Sequence, residues 1–205
     1  MSQWKTLPRS FYERPPESVA RDLLGRYVVR STDGVELALR IVETEAYLGS
    51  SDRASHAWDG RRTARNESLY LGGGHAYVYL IYGIHHCLNA VTAPEGEGGA
   101  VLIRAGEPVR GAEVMWSNRG RPGQPSAGDI AGGPGKVCKA LGVDRAFDGT
   151  SLLRAPLTVS HGEPATASSI VAGPRVGIDY AGSAVSWPLR FAVRDNAHVS
   201  RPHPW

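Results

Sequence analysis

The stretch VELALRIVETEAYL, residues 35–48, alternates apolar and polar side chains and predicts one long β-strand. Successive side chains of a strand point to opposite faces, so the odd-numbered residues share one face. That row is apolar from Val35 onward but ends in two glutamates, Glu43 and Glu45. The even-numbered row is mostly polar at first and becomes apolar at Val42. The polar and apolar faces of the strand therefore exchange near residue 42.

Two interpretations of Glu43 and Glu45 are open at this point. A β-bulge near residue 42 would shift the register and leave both carboxylates in solvent. Otherwise they lie at the rim of the core, on one face and roughly 7 Å apart. Partial desolvation raises the pKa of a carboxylate, which then acts as a general base near neutral pH. The pattern alone does not distinguish which glutamate would carry out chemistry.

Shorter elements are predicted before and after this strand. Residues 15–25, PPESVARDLLG, are typical of a helix that begins at its second proline and is followed by glycine. Residues 32–34, TDG, are typical of a hairpin turn. The β-rich residues 75–91 predict a second hairpin, with Tyr82 and Gly83 near its tip.

The remaining elements are also short. Residues 98–108 predict a strand that ends near Arg104, and residues 109–120 predict a helix. A Gly-Pro turn opens a helix over 133–143, and short strands and turns follow from residue 151. Because short turns rather than crossover helices join the strands, we predict a mixed α+β class with mostly antiparallel pairing.

Length and composition indicate a single globular domain over residues 1–205. The chain is 41% hydrophobic and 21% charged, as globular proteins are. The ends, residues 1–9 and 201–205, are expected to fray. Residues 119–135, rich in Gly, Pro and Ser, are expected to form a mobile loop.

Charge and targeting signals set expectations about location and partners. No apolar run reaches the length of a membrane span, and the N-terminus lacks the apolar region of a secretory signal. We therefore expect a cytoplasmic protein without membrane partners. The net charge of +3 permits nucleic-acid binding without requiring it. Cys87 and Cys138 are far apart, fit no zinc pattern and are predicted to be buried thiols.

Several basic and aromatic residues suggest DNA contacts, each with a plainer alternative. Residues 60–65, GRRTAR, offer donors for phosphates or form an ordinary solvated loop. Lys136 lies in the first turn of a helix that can hold an anion, although GGPGKV is not a nucleotide-binding P-loop. Tyr82, at the hairpin tip, suits a wedge between base steps. Tyr77 suits core packing, and the pair HH at 85–86 is a poor metal site.

Taken in order along the chain, six segments resemble the alkyladenine (3-methylpurine) DNA glycosylases. The resemblance covers about residues 10–200, and the combination of VETEAY with YxYxIYG is specific. It implies a single compact mixed α+β domain around a curved antiparallel β-sheet, with a β-hairpin that protrudes into the minor groove of DNA. The segments are RIVETEAYLG (40–49), His56, YVYLIYG (77–83), Asn89, AVLIRAGEP (100–108) and GPGKVCKALGV (133–143).

The resemblance also implies an activity and a role for single residues. The family flips alkylated or deaminated purines out of double-stranded DNA and hydrolyses the N-glycosidic bond, leaving an abasic site, without metal or other cofactor. Candidate lesions are 3-methyladenine, 7-methylguanine, hypoxanthine and ethenoadenine. Glu45 would activate the attacking water and Arg104 would help to hold it. The other implied contacts are base binding by Tyr47, His56, Tyr79 and Asn89, intercalation by Tyr82 and Ile84, and backbone binding by Arg61, Thr63, Arg65 and Lys136.

Some features limit or compete with this interpretation. Ile84, His85 and His86 depart from the family pattern and leave the lesion preference open. No lysine neighbours Glu45 in sequence, so a lyase step is not expected. One alternative is a sugar glycosidase that uses Glu43 and Glu45 as its two carboxylates. The other is a non-catalytic protein that binds damaged DNA. For a reader of duplex DNA of this size we expect a monomer, associated with the nucleoid in a bacterium.

Overall fold

The strand predicted from residue 35 is present and ends one residue earlier than expected, at Tyr47. The computed structural model describes residues 4–204, and all strand pairs within that range are antiparallel. The strands are β1 (Tyr27–Thr32), β2 (Val35–Tyr47), β3 (Ala76–Ile81), β4 (His85–Thr92), β5 (Gly99–Arg110), β6 (Leu153–Arg154), β7 (Leu157–Ser160), β8 (Ile170–Gly173) and β9 (Arg190–Val193).

One curled sheet contains these strands in the order β3-β4-β5-β2-β1-β7-β6. β5 runs along one edge of β2, whereas the other edge has two neighbours. β1 pairs with residues 35–40 of β2, and β9 pairs with residues 43–45 and with β8. Because β2 changes its neighbour halfway along, its two halves belong to differently covered parts of the sheet. The predicted curved antiparallel sheet of the mixed α+β class is confirmed.

Helices cover the inner face of the sheet. The second helix begins at its predicted proline and buries Val19, Ala20 and Leu23 in the main core. A helical pattern buries one face in this way because neighbours on that face are three or four residues apart. The α-helices are α1 (Arg9–Tyr12), α2 (Pro16–Leu23), α3 (Ala112–Arg119) and α4 (Pro134–Leu141), and short 3-10 turns lie at Gly49–Ser51, Trp58–Gly60, Glu67–Tyr70, Arg145–Phe147, Ala167–Ser169 and Gly182–Ser186.

The exchange of faces in β2 has a structural cause in its pairing with β5. Ile41 pairs with Gly106 and Glu43 pairs with Ala105, so Val42 is an extra residue on β2. A bulge of this kind turns the following side chains to the other face. A second register shift follows immediately, between Glu43 and Thr44.

The bulge moves the main core from odd-numbered to even-numbered positions of β2. Leu37, Leu39 and Ile41 lie in the main core before the bulge, and Ala46 lies in it afterwards. Thr44 Oγ1 also turns to that side and donates a hydrogen bond to the Ala20 carbonyl at 2.9 Å. The apolar row therefore continues across the bulge, although it changes parity in the sequence.

The glutamates on the opposite face are not in solvent. Glu43 and Glu45 are both 0% exposed, because β9 and chain segments near residues 175 and 200 cover that face. The prediction that a bulge leaves the carboxylates solvated is wrong. The prediction of partial burial at the rim of the core is wrong too, since burial is complete. The bulge and the burial occur together.

Other boundaries also differ from the expectations. β5 continues to Arg110, well past Arg104. The loop predicted over 119–135 is shorter, because α3 and α4 take its ends. In its second half the Gly128 carbonyl accepts hydrogen bonds from Gly132 N–H at 2.9 Å and from Lys136 Nζ at 3.0 Å. The second half of this segment is therefore held by internal hydrogen bonds, and the mobility of the loop stays a prediction.

The chain ends pack more closely than expected. Residues 1–3 and 205 lie outside the described part of the chain. Leu7 is buried and its N–H donates to the Val159 carbonyl at 2.9 Å. Near the other end, the Pro202 carbonyl accepts a hydrogen bond from Arg190 Nη2 at 2.7 Å. Leu7 and Pro202 are therefore each tied to the sheet by a hydrogen bond of the backbone.

Candidate active site

A cavity of about 590 Å³, called here the main cavity, opens between the second half of β2, the β3–β4 hairpin and the segment 176–180. Glu45 and Arg104, the two predicted catalytic residues, both line it. Most other lining side chains are aromatic or apolar, as is usual for a small-molecule pocket. The four predicted base-binding residues, Tyr47, His56, Tyr79 and Asn89, line the same cavity, together with Tyr77, Val176, Ile178 and Tyr180.

Glu45 is held from three sides. Its Oε1 accepts the Val176 N–H at 2.9 Å and lies 3.1 Å from Arg104 Nη1. Its Oε2 accepts the Tyr47 hydroxyl at 2.8 Å. Each carboxylate oxygen has about two acceptor positions, so Oε2 keeps one that no hydrogen bond from the described residues occupies. The bulge places Glu45 here, since it turns position 45 away from the main core.

The charge states of its partners follow from their surroundings. Burial lowers the pKa of Arg104, but the charges of Glu45 and Glu43 outweigh that effect and raise the pKa overall. Burial also raises the pKa of Tyr47, and the charge of Glu45 raises it further. Arg104 is therefore a cation and Tyr47 is a neutral hydrogen-bond donor near pH 7.

Glu43 does not share this position. Among the described residues that line the main cavity, Glu45 is the only carboxylate. Glu43 instead accepts hydrogen bonds from Arg104, Arg190 and Ser200 behind the cavity wall. A sugar glycosidase needs two carboxyl groups on either side of its substrate. The arrangement of Glu43 and Glu45 does not provide the second one.

Aromatic rings form one side of the main cavity. The rings of Tyr77 and Tyr79 lie 5.3 Å apart at 32°, and His56 meets Tyr79 edge to face at 4.6 Å. His56 Nδ1 and the Tyr77 hydroxyl are 2.8 Å apart. Burial lowers the pKa of His56, and the charges of Arg65 and Arg61 lower it further, so the imidazole is neutral near pH 7. Tyr77, predicted only to pack in the core, thus also fixes a cavity residue.

Tyr47 is supported from behind by a buried ion pair that the sequence analysis missed. The Arg175 guanidinium lies 4.8 Å from the centre of the Tyr47 ring and does not line the cavity. Arg175 Nη2 donates to Asp52 at 2.9 Å, and Nη1 donates to the Ala46 carbonyl at 2.9 Å. Both charged side chains are 0% exposed. A lone arginine within the apolar run IVAGPRVGI was the available signal.

Asn89 lies deep in the wall of the main cavity. It is 3% exposed, and its Nδ2 donates to the Tyr77 carbonyl at 3.0 Å. This hydrogen bond fixes the orientation of the amide. Cys87, on the same strand, also lines the cavity, and burial raises the pKa of its thiol to about 11. Cys87 and Cys138 are both buried, as predicted.

The hairpin tip exposes two large apolar side chains. Tyr82 is 80% exposed and Ile84 is 72% exposed. Tyr82 and Gly83 both have positive φ, and the Ile84 N–H donates to the Ile81 carbonyl, as in a type I′ turn. Positive φ is unfavourable for a bulky residue such as tyrosine. Tyr82 reaches the edge of the main cavity, whereas Ile84 does not.

A second cavity, called here the arginine cavity, has a volume of about 500 Å³. Its lining contains three of the four predicted backbone-binding residues, Arg61, Thr63 and Arg65. Arg62 turns away and pairs with Glu67 at the surface. Arg53, Trp58 and Asn66 also line it, and it shares Ser55, His56, Tyr77 and Tyr180 with the main cavity.

Lys136, the fourth predicted backbone-binding residue, is separate from the other three. It lines the main cavity, and its ammonium group donates to the Gly128 carbonyl at 3.0 Å. A lysine therefore does approach the cavity of Glu45, although none is near in sequence. Arg119 and Arg121 line the same cavity as Lys136, and the sequence analysis did not single them out.

The described part of the chain contains neither a candidate metal cluster nor a candidate membrane helix. Within residues 4–204, no group of three or more His, Cys, Asp or Glu side chains is arranged to hold a metal ion. Over the same residues, no helix is both long and apolar enough to cross a membrane.

Comparisons with known proteins cover nearly the whole chain. The family model described as Methylpurine-DNA glycosylase (MPG) matches residues 10–197. A protein of Methanocella arvoryzae is 48% identical over 198 residues, or 97% of each chain. One of Desulfitobacterium hafniense is 45% identical over 201 residues (96% of this chain, 98% of the relative). One of Myxococcus xanthus is 46% identical over 198 residues (97% and 95%). All three bear the provisional name 3-methyladenine DNA glycosylase.

Proposed function

The chain belongs to the methylpurine-DNA glycosylase family, and from that premise we propose that it releases damaged purines from duplex DNA with a water molecule activated by Glu45. The family is one of hydrolases that break N-glycosyl bonds. The substrates proposed are 3-methyladenine, 7-methylguanine, hypoxanthine and ethenoadenine. The observation that carries the proposal is that Glu45, the one carboxylate among the described residues lining the main cavity, is buried against aromatic rings.

The target base has to leave the helix, because its glycosidic bond is inaccessible within the stack. Flipping costs a few kcal/mol, and each base–aromatic contact returns about 1–3 kcal/mol. Tyr47 and Tyr79 offer such contacts in the main cavity, and His56 is held beside them. Asn89, fixed by its hydrogen bond to the Tyr77 carbonyl, is proposed to exclude purines with a misplaced exocyclic amine.

The hydrolytic step uses the acceptor position left on Glu45 Oε2. That oxygen takes a proton from water as the water oxygen bonds to C1′ of the sugar. The electron pair of the C1′–N bond leaves with the purine, and the DNA keeps a hydroxyl group at C1′. Arg104 and the Val176 N–H bind Oε1, so the carboxylate is presented in one orientation.

The charge of the purine affects how easily it leaves. A cationic base such as 3-methyladenine stacks well on electron-rich rings and departs as a neutral molecule. A neutral base such as hypoxanthine needs a proton before it departs. The lowered pKa of His56, caused first by burial, makes that side chain a poor source of the proton. Release of cationic lesions is therefore expected to be faster.

The DNA itself is proposed to bind over the mouths of both cavities. Tyr82 and Ile84, exposed at the hairpin tip, would enter the gap left by the flipped base. Arg61, Thr63 and Arg65 would contact phosphates at the arginine cavity, and Lys136 would do so on the other side of the main cavity. Affinity should then fall steeply with salt. One chain suffices for this surface, so a monomer is proposed.

Incubation with duplex DNA that contains one defined lesion tests this function. The duplex is then analysed before and after alkali, which breaks the strand at abasic sites. Strand breaks are expected only after alkali, and an undamaged duplex should stay intact. Breaks without alkali would indicate a lyase step, for which Lys136 is the one lysine among the described residues that line the main cavity. Tight binding of the damaged duplex without base release would favour the non-catalytic damage binder.

A further inference from the structure

A cluster of four buried charges extends from the wall of the main cavity to the region behind it. It contains two carboxylates, Glu43 and Glu45, and two guanidinium groups, Arg104 and Arg190. Their side chains are between 0% and 7% exposed. The charges balance within the cluster, as buried charges need to do. Glu45 faces the cavity, and the other carboxylate does not.

Arg104 uses all three of its guanidinium nitrogens within this cluster. Nε donates to Glu43 at 3.0 Å and Nη2 donates to Ser200 Oγ at 3.1 Å, while Nη1 lies 3.1 Å from Glu45. A planar guanidinium held at three points has no freedom to rotate. The orientation of Arg104 toward Glu45 therefore depends on the two groups behind it.

Glu43 is the centre of the rear half of the cluster. Its Oε1 accepts from Arg190 Nε at 2.6 Å and from Ser200 Oγ at 3.0 Å, and its Oε2 accepts the Ser200 N–H at 2.8 Å. Arg190 Nη2 in turn donates to the carbonyls of Ser200 and Pro202. The segment 199–202 is thereby bound to the rear of the cavity wall.

We infer that Glu43 is a positioning residue, which together with Arg190 and Ser200 fixes Arg104 against the water-activating Glu45. Arg190 neutralises Glu43 at the shorter distance, so the charge of Arg104 remains available to Glu45. The C-terminal segment 199–202 is then part of the active site without touching the substrate. This inference rests on the proposed function of Glu45.

A charge effect distinguishes this role from simple packing. Charged and titratable groups near Glu45 come from each of the strands around it. Glu43 and Glu45 share one guanidinium group, that of Arg104. Loss of the charge on Glu43 leaves that guanidinium to Glu45 alone and adds the unpaired Arg190 nearby, so the electrostatic potential at the Glu45 carboxylate becomes more positive. The groups are Glu43 and Tyr47 on β2, Tyr79 on β3, Cys87 on β4, Arg104 on β5 and Arg190 on β9.

The test compares Glu43→Gln and Ser200→Ala with the wild type in the full-length protein. Glu36→Gln is the matched control, because Glu36 lies on the same strand and also pairs with an arginine, Arg110, far from the cavity. The substrate is a duplex with one hypoxanthine. The single-turnover rate of base release is measured at saturating enzyme and as a function of pH, and a binding titration gives the dissociation constant. Thermal unfolding is recorded for each variant.

Glu43→Gln is expected to slow base release by about 100-fold, since small misplacements of catalytic groups have effects of this size. Its dissociation constant for the duplex should stay within about threefold, a smaller change than the loss of one base–aromatic contact would cause. The acid limb of its rate profile should move to lower pH. Ser200→Ala should slow release without moving that limb, because it removes hydrogen bonds but no charge. Glu36→Gln should match the wild type.

Either of two results would overturn the inference. One is a folded Glu43→Gln with a wild-type rate, and the other is a slower Glu43→Gln whose acid limb has not moved. If Glu43→Gln does not fold, a wild-type rate for Ser200→Ala overturns it and a slow rate supports it. Failure of the proposed function has a different signature, because the wild type itself would then release no base.

Discussion

Two regions beside the main cavity reverse the usual distribution of side chains in globular proteins, in which charged groups are exposed and large apolar groups are buried. At the cavity wall and behind it, Glu45 and Glu43 bury their charges completely. At the hairpin tip, Tyr82 and Ile84 leave large apolar side chains in solvent. The buried charges are paired and hydrogen-bonded several times over, whereas the exposed side chains have few contacts of their own. The first region is complete without a ligand, and the second is suited to being covered by one.

This difference suits the two regions to different tasks, one to holding side chains in place and the other to contact with a ligand. A buried, fully paired charge network is rigid, and it fixes the position of a reacting group. An exposed apolar tip on a positive-φ turn contributes little to folding and is available for contact with DNA. Substitutions in the cluster should therefore affect stability and the rate of reaction. Substitutions at the tip should affect DNA binding while the fold is unchanged.

The largest effect is expected for Glu45→Gln. The amide keeps the shape of the side chain but does not accept the proton of water, so base release should fall by about 10²–10⁴-fold. The dissociation constant for damaged duplex should change little. Single-turnover kinetics and a binding titration of the same preparation measure both quantities. A Glu45→Gln protein that releases base at the wild-type rate would refute the assignment of the base.

A large loss of stability is expected for Arg175→Met. The substitution leaves Asp52 buried and unpaired, which costs about 3–5 kcal/mol in the free energy of unfolding. It also removes the support behind the Tyr47 ring. Urea unfolding monitored by circular dichroism measures the change, and Arg9→Met, which disrupts an exposed pair with Glu13, is the control. Equal stability of the two variants would contradict the importance of the buried pair.

Tyr82→Ala should show the opposite behaviour at the hairpin tip. Because the side chain is 80% exposed, the free energy of unfolding should change by no more than about 0.5 kcal/mol. Loss of its contact with DNA should weaken flipping by about 1–3 kcal/mol. The fluorescence change of ethenoadenine on binding reports flipping. An unchanged signal together with unchanged affinity would count against a wedge.

The smallest effect concerns the dependence of stability on pH. Burial first, and then the charges of Arg65 and Arg61, lower the pKa of His56 in the folded protein. The unfolded chain therefore binds a proton more readily than the folded chain does, and this part of the stability is lost as pH falls below about 6.5. Melting temperatures between pH 5 and pH 8 should fall less at the acid end for His56→Gln than for the wild type. If the melting temperatures of the two proteins change with pH in parallel, His56 does not contribute to the pH dependence of stability.

Much of the fold could be predicted from local patterns. The long strand, the proline-initiated helix and the hairpin tip at Tyr82 and Gly83 each depend on neighbours within a few residues. Alternation and turn chemistry report such short distances directly. For these elements of the fold the sequence was sufficient. Glu45, Arg104 and the four proposed base-binding residues line one cavity, whereas the proposed backbone-binding residues divide between two.

The supports of the site depended on the tertiary structure. Glu45 bonds to a backbone group 131 residues away, and Glu43 bonds to partners 147 and 157 residues away. These contacts exist because a bulge at Val42 turns the carboxylates away from the main core and because β9 pairs beside them. Local periodicity shows that polarity changes near residue 42. Whether Glu43 and Glu45 are then buried or exposed depends on the segments that cover their face of the strand. Whether a buried charge is tolerated is decided by distant partners, and only the folded chain brings them together.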